Sequence, residues 1–180
     1  MMPDNKSKKK SQEGFGLVEV MLAGLILLVG MVTLLALFAQ AIAATQIANL
    51  DLIARQKARE ALESLYTARN TRQFTFEQLA NVDQGGVFLS GLQPLTTPGS
   101  DGLVNTADDG AVEKMISAGP DGTMGTGDDE TRLLSDYRRE IEISGGGSAD
   151  LRRVTITITY TTPLGTTREV RIESFVSRFR

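Results

Sequence analysis

The sequence predicts an α+β fold: a long N-terminal helix laid against a small antiparallel β-sheet. Two patterns carry that prediction. A long uncharged apolar run passes into a segment whose apolar residues recur every three or four positions, and no proline or glycine interrupts residues 31–69. Three C-terminal segments then alternate apolar and polar residues, separated by turns rich in glycine or proline. The length of 180 residues suits one such domain plus a membrane segment, not two full domains.

The helix comes first. Residues 20–50 are 31 consecutive positions without a charge. As a helix they reach about 46 Å at ~1.5 Å per residue, more than the ~30 Å of a bilayer's hydrocarbon core. Lys6, Lys8, Lys9 and Lys10 precede the run, which places the N-terminus in the cytoplasm and the C-terminus outside. Gly24 and Gly30, with several alanines, would let helices approach closely in lipid, although such residues are also simply common in membrane helices. Beyond the run, Leu50, Ile53, Ala54, Ala58, Ala61, Leu62 and Leu65 mark one apolar face. Asp51 with Arg55, and Arg59 with Glu63, are oppositely charged i,i+4 pairs on the other side. One helix over residues 15–69 follows, its first part (15–50) in lipid and its amphipathic continuation (51–70) packed on a globular domain (71–180).

The sheet is read from residues 137–177. Tyr137, Arg139, Ile141 and Ile143 share one face of the first strand, and Gly145-Gly146-Gly147 turns the chain. Residues 151–161 put Val154, Ile156, Ile158 and Tyr160 inward, with Arg153, Thr155, Thr157 and Thr159 outward. After Pro163-Leu164-Gly165, residues 167–177 return with Val170, Ile172 and Val176. These three strands predict a meander with one apolar face, which the helix covers.

Composition removes several classes of function. The chain has no cysteine and no histidine, hence no disulfide, no thiolate chemistry, no histidine base and none of the usual zinc sites. Its positive charges are scattered, without the basic stripe of a nucleic-acid footprint. No nucleophile–base pair or phosphate-binding motif appears, so the expectation is a protein that is not an enzyme.

The N-terminus is more specific. A secretory signal is cut after its apolar region, but here the plausible site, between Gly14 and Phe15, lies before it. Cutting there removes a leader of net charge +2, takes the chain from −3 to −5, and leaves the apolar segment in place. Glu19 is the one charge near the start of that segment, where a membrane makes it costly, though a helix N-terminus favours an acid. The order Gly14, Phe15, three residues, Glu19, then an apolar stretch resembles the type IV prepilin signal of pilins and pseudopilins. The resemblance implies a leader (1–14) removed by a membrane prepilin peptidase, which also N-methylates Phe15. It implies that Glu19 pairs with the free N-terminal amine of a neighbouring subunit during filament assembly. It further implies other pilin or pseudopilin subunits and an inner-membrane assembly platform as partners. The C-terminal strands are loosely similar to those of PilV-type minor pilins.

The middle of the chain carries a repeat. Residues 101–109 (DGLVNTADD) recur as residues 121–129 (DGTMGTGDD), twenty positions on, each after a proline-containing turn. Both copies are too polar to pack as elements and are expected as loops within residues 98–130. Clustered carboxylates and chain-curling glycines suit calcium, which takes six to eight oxygens in flexible geometry; the pattern is not an EF-hand. Asp-Gly and Asn-Thr are also ordinary turn chemistry. The segment resembles the calcium-binding loop of type II secretion major pseudopilins. On that resemblance the expected ligands are Asp101, Asn105, Asp108, Asp109, Asp121, Asp128 and Asp129. The leading expectation is therefore a minor pilin of a type IV pilus-like filament. A type II secretion pseudopilin is the near alternative, and a non-polymerising bitopic protein with a calcium-binding periplasmic domain is the alternative of another class.

Overall fold

The structure is a computed structural model and describes Gly14 and residues 16–179. Phe15 and the leader residues 1–13, on which part of the N-terminal expectation falls, lie outside the described residues. The fold is α+β, as predicted. Helix α1 runs Leu17–Asn70, and the chain divides into two compact units between Ala44 and Thr45, within that helix.

In the first unit, α1 is apolar and its residues 17–42 are exposed. Its most apolar window has a mean hydropathy of 2.8, and the helix is long and apolar enough to cross a membrane. Glu19 lies in its first turn.

In the second unit, the rest of α1 packs on a four-stranded antiparallel sheet. Its strands are β1 (Gln93–Pro94), β4 (Tyr137–Gly145), β5 (Leu151–Thr161) and β6 (Thr167–Ser177), in the order β1-β4-β5-β6. A separate hairpin joins β2 (Lys114–Ser117) to β3 (Glu130–Leu133). The helix presents mainly small residues: Ala54, Ala58, Ala61 and Ala68 are buried, with Leu50 and Leu65 at intervals. Small residues bring its backbone close to the sheet, which supplies the bulk through Ile141, Ile143, Val154, Ile156, Ile158 and Val176. Each such fully buried aliphatic side chain contributes about 1.5–3 kcal/mol. The inward and outward faces follow the predicted alternation with one departure. Thr155 is on the outer face yet buried, flanked in register by Glu142 of β4 and Glu173 of β6.

Two features close the domain without long strands. β1 covers β4 at only two positions, Arg138 and Arg139. Further along β4, the buried Asn81 amide takes over: its Nδ2 donates to Ile141 O at 2.7 Å and its Oδ1 accepts from Ile143 N at 2.8 Å. A side-chain amide thus satisfies a backbone pair that a strand would otherwise serve. At the end of the helix, the Tyr66 hydroxyl bonds Ser174 Oγ at 2.6 Å, and Arg69 Nη2 donates to Ser177 O.

Near Leu50, Tyr137 and Tyr160 stack with ring centroids 5.5 Å apart, and the Tyr137 hydroxyl donates to Leu50 O at 3.3 Å. Burial pushes the Tyr137 hydroxyl from 10.0 up to about 12. An unfolded tyrosine ionises near pH 10 while the folded one stays neutral to about 12. The Tyr137 contribution to stability is therefore constant below pH 10 and falls as pH climbs from 10 towards 12. Melting curves between pH 9 and 12 check this: Tyr137→Phe should lose less of its melting temperature over that interval than the parent chain, and equal losses would refute it.

Candidate functional site

The residues singled out from sequence fall in two regions. At the N-terminal one, Gly14 is exposed, and a Cβ added there would meet nothing within 4 Å. The same is true of Gly16, Gly24 and Gly30. Glycine within a helix costs about 0.5–1 kcal/mol relative to alanine, so Gly24 and Gly30 are a cost that no packing among the described residues offsets. Among the described residues the Glu19 side chain is exposed and makes no hydrogen bond or ion pair.

The aspartate loops are the second region, and both copies are loops, as predicted. The first lies between β1 and β2; the second forms the tip of the β2–β3 hairpin. Position for position, twenty residues apart, they fold alike. Asp101 Oδ1 accepts the Leu103 N–H at 2.8 Å and Asp121 Oδ1 the Thr123 N–H at 2.7 Å, each an aspartate turn bonding its own backbone two residues on. Asp108 Oδ2 accepts the Asp101 N–H at 3.3 Å, and Asp128 Oδ2 the Asp121 N–H at 3.2 Å. Asp109 Oδ2 accepts the Asn105 N–H at 2.8 Å, and Asp129 Oδ2 the Gly125 N–H at 2.6 Å. Thr106 Oγ1 donates to Asp108 Oδ1 at 2.9 Å, and Thr126 Oγ1 to Asp128 Oδ1 at 2.6 Å. Asn105 and Gly125 both have positive φ, 64° and 88°. At Gly99 and Gly119 a Cβ would overlap the Asp108 carboxylate and the Asp128 backbone carbonyl, so close approach requires glycine at both.

These bonds shift the titrations. The Ser100 hydroxyl, then that of Thr106, holds Asp108 below the ordinary carboxylate range, and the Thr126 hydroxyl does the same for Asp128. A depressed carboxylate stabilises the fold above the ordinary range, and that contribution disappears as pH falls through the lowered value.

The loops differ in their surroundings. In the first, Asn105 is fully buried; its Oδ1 accepts from Arg139 Nε at 2.9 Å, and its Nδ2 donates to Arg139 O at 3.3 Å. Arg139, 1% exposed, also donates from Nη2 to Thr96 O at 3.2 Å and lies 4.0 Å from Asp109 Oδ2 and 3.6 Å from Glu113 Oε1. Glu113 in turn pairs with Lys57 of α1 at 2.6 Å, and Lys57 pairs with Glu60 at 2.6 Å. Burial alone would lower the Lys57 pKa, but its bonds to Glu113 and Glu60 outweigh that and raise it. This chain of charges, buried at Arg139 and reaching the surface at Glu60, joins the first loop, β4 and α1. Sequence reading placed Arg139 on one strand face with Tyr137, Ile141 and Ile143 and did not find this network, since its partners come from four separate positions upstream.

The second loop is exposed over most of its length, and Asp129 Oδ1 is buried without a hydrogen-bond partner. Among the described residues no three acidic side chains are grouped so as to hold a metal ion by themselves. An ion at either loop would therefore draw on backbone carbonyl or hydroxyl oxygens as well. In the second loop Asp121 Oδ1, both Asp128 oxygens and Asp129 Oδ2 accept N–H or hydroxyl bonds within the loop, and Asp129 Oδ1 is left with unused lone pairs. In the first loop Asn105 and Asp109 already face a guanidinium. Comparison with family models, with characterised proteins and with solved structures finds no match to this chain.

Proposed function

We propose that this chain is a structural subunit, a minor pilin, of a type IV pilus-like filament. The observation that carries the reading is the first half of α1. It is apolar and exposed, with an acid in its first turn and glycines for which packing among the described residues gives no reason. A helix that only anchors needs neither the acid nor the glycines; a helix that bundles with copies or relatives uses both. On this reading a prepilin peptidase cuts after Gly14 and methylates Phe15, and the protein waits in the inner membrane with its N-terminus cytoplasmic. The assembly platform then lifts it into a helical bundle, in which Glu19 pairs with a neighbour's terminal amine. The globular domain faces outward. Its mechanism is polymerisation, not catalysis.

The aspartate loops favour the second reading, a type II secretion pseudopilin. For either filament we propose calcium as the ligand of the second loop, where it would cross-link carboxylates of a segment without disulfides and add its binding free energy to the folded form. Mass spectrometry of filaments sheared from native cells tests the assignment. A peptide beginning at methylated Phe15, present at low ratio to the dominant subunit, is the expected result. The processed peptide confined to the cell envelope would instead favour the pseudopilin. Residues 1–14 still attached throughout would refute assembly and leave the bitopic protein.

A further inference from the structure

The four-stranded sheet ends on a long edge. β6 is the last strand in the order β1-β4-β5-β6, and its register with β5 runs unbroken from Thr167 to Ser177, without proline or bulge. Just beyond the two ends of that register, the Thr162 N–H donates to Thr166 O at 2.8 Å and the Arg178 N–H to Asp150 O at 2.7 Å. Antiparallel pairs alternate between bonded and non-bonded, so the even-numbered residues of β6 turn their backbone groups to β5. The odd-numbered ones, from Thr167 to Ser177, turn theirs to the open side.

Helix α1 closes part of that edge. The Tyr66 hydroxyl donates to Phe175 O at 3.3 Å, and Arg69 Nη2 donates to Ser177 O and, at 3.3 Å, to Phe179 O. All three carbonyls are odd-numbered, as the alternation requires. Among the described residues nothing caps Thr167, Glu169, Arg171 or Glu173, and all four are exposed. An uncapped run of outward N–H and C=O groups is a template for another strand.

The side chains of this stretch select the strand. Glu169, Arg171 and Glu173 share one face and alternate in sign, with Arg171 Nε 3.4 Å from Glu173 Oε1. A second copy meets the edge antiparallel, about a two-fold axis normal to the sheet, and few registers keep the bonding pattern. Centred on Arg171, the pairing sets Arg171 against itself and Glu169 against Glu173. Centred on Ile172, it sets Glu169 against Phe175 and Thr167 against Ser177, whose carbonyls α1 already holds. Centred on Val170, it sets Glu169 against Arg171 twice and Thr167 against Glu173 twice. This last register engages every uncapped residue, forms about eight backbone hydrogen bonds and places no like charges opposite one another.

We propose that residues 167–173 of β6 are a self-association surface, through which two copies join their sheets antiparallel with Val170 at the two-fold. The axis reverses the direction of α1 in the partner copy. Copies inserted side by side in one membrane point the same way and do not pair so; copies that face each other from separate filaments or membranes do. The surface stands without the filament reading, and only the place where it acts rests on that reading.

Charge exchange tests it on the full chain in detergent micelles, with dimerisation read by sedimentation equilibrium and folding by circular dichroism. Arg171→Glu sets acid against acid across the two-fold, and Glu169→Arg sets arginine against arginine. Each alone should dimerise about tenfold or more weakly than the parent. An equimolar mixture of the two should associate as the parent does, because the charges of each then oppose those of the other. A parent that stays monomeric up to about 1 mM overturns the proposal. So does a dimer that both variants form as readily as the parent, which would place the contact in the apolar half of α1. Loss of dimer without recovery on mixing overturns it as well.

Discussion

Arg139→Met is expected to destabilise this protein strongly. Methionine keeps much of the volume and removes the guanidinium. Asp109, 11% exposed at the side chain, then has no cation beside it, Glu113 keeps only Lys57, and the Asn105 Oδ1 and Thr96 O acceptors lose their donors. Breaking a buried pair by deleting one partner costs about 3–5 kcal/mol, which for a domain of this size lowers the melting temperature by roughly 10 °C or more. Lysine should not rescue it. Its ammonium carries the charge, but it lacks the fork that reaches Asn105, Thr96 and Glu113 at once. The added change Asp109→Asn should recover part of the loss by removing a carboxylate left unpaired, so the double variant melts above the sum of the single effects. Thermal melts of the full chain in detergent decide it. Should Arg139→Met melt within about 2 °C of the parent, Arg139 is not the cation of this site.

The extent to which the sequence anticipates this fold depends on how local each determinant is. The predicted helix over residues 15–69 is observed as Leu17–Asn70, because an unbroken apolar-to-amphipathic pattern specifies both the element and its face. The strands at residues 151–161 and 167–177 fall where alternation and bounding turns put them. β1 escapes notice, since it is two residues long and one of them is proline. β2 and β3 escape for another reason: they are almost wholly exposed, so they show no inward–outward alternation. The role of Asn81 is also invisible in one dimension, because its two partners lie sixty residues downstream on β4. The aspartate repeat is legible as a pair of equivalent loops, and its structural equivalence follows from the identical spacing of aspartate, glycine and threonine. What differs between the copies is set partly within the repeat, by Asn105 against Gly125, and partly outside it, by Thr96, Glu113 and Arg139 around the first. A motif therefore predicts the loop's shape, while long-range contacts decide what each loop holds.

On the filament reading, the largest functional effect comes from two small changes at the other end of the chain. Gly14→Val should abolish leader removal. The peptidase must bring the Gly14–Phe15 peptide bond into its site, and a β-branched side chain there would obstruct it. Nothing in the fold opposes the substitution, since a Cβ at Gly14 meets nothing within 4 Å, so a loss of processing cannot be attributed to misfolding. Glu19→Ala should act one step later. The side chain is exposed in the first turn of α1 and has no partner among the described residues, so its loss leaves folding untouched and makes membrane insertion cheaper. If its role is to meet a neighbouring subunit's terminal amine in a low-dielectric bundle, the variant is cut and methylated normally yet falls at least tenfold in sheared filaments. The two variants therefore separate the steps: unprocessed protein in the membrane for Gly14→Val, processed but unassembled protein for Glu19→Ala. Immunoblots of membrane and sheared fractions read both. Normal incorporation of Glu19→Ala would remove the pairing role, and normal incorporation of uncut Gly14→Val would remove the filament reading with it.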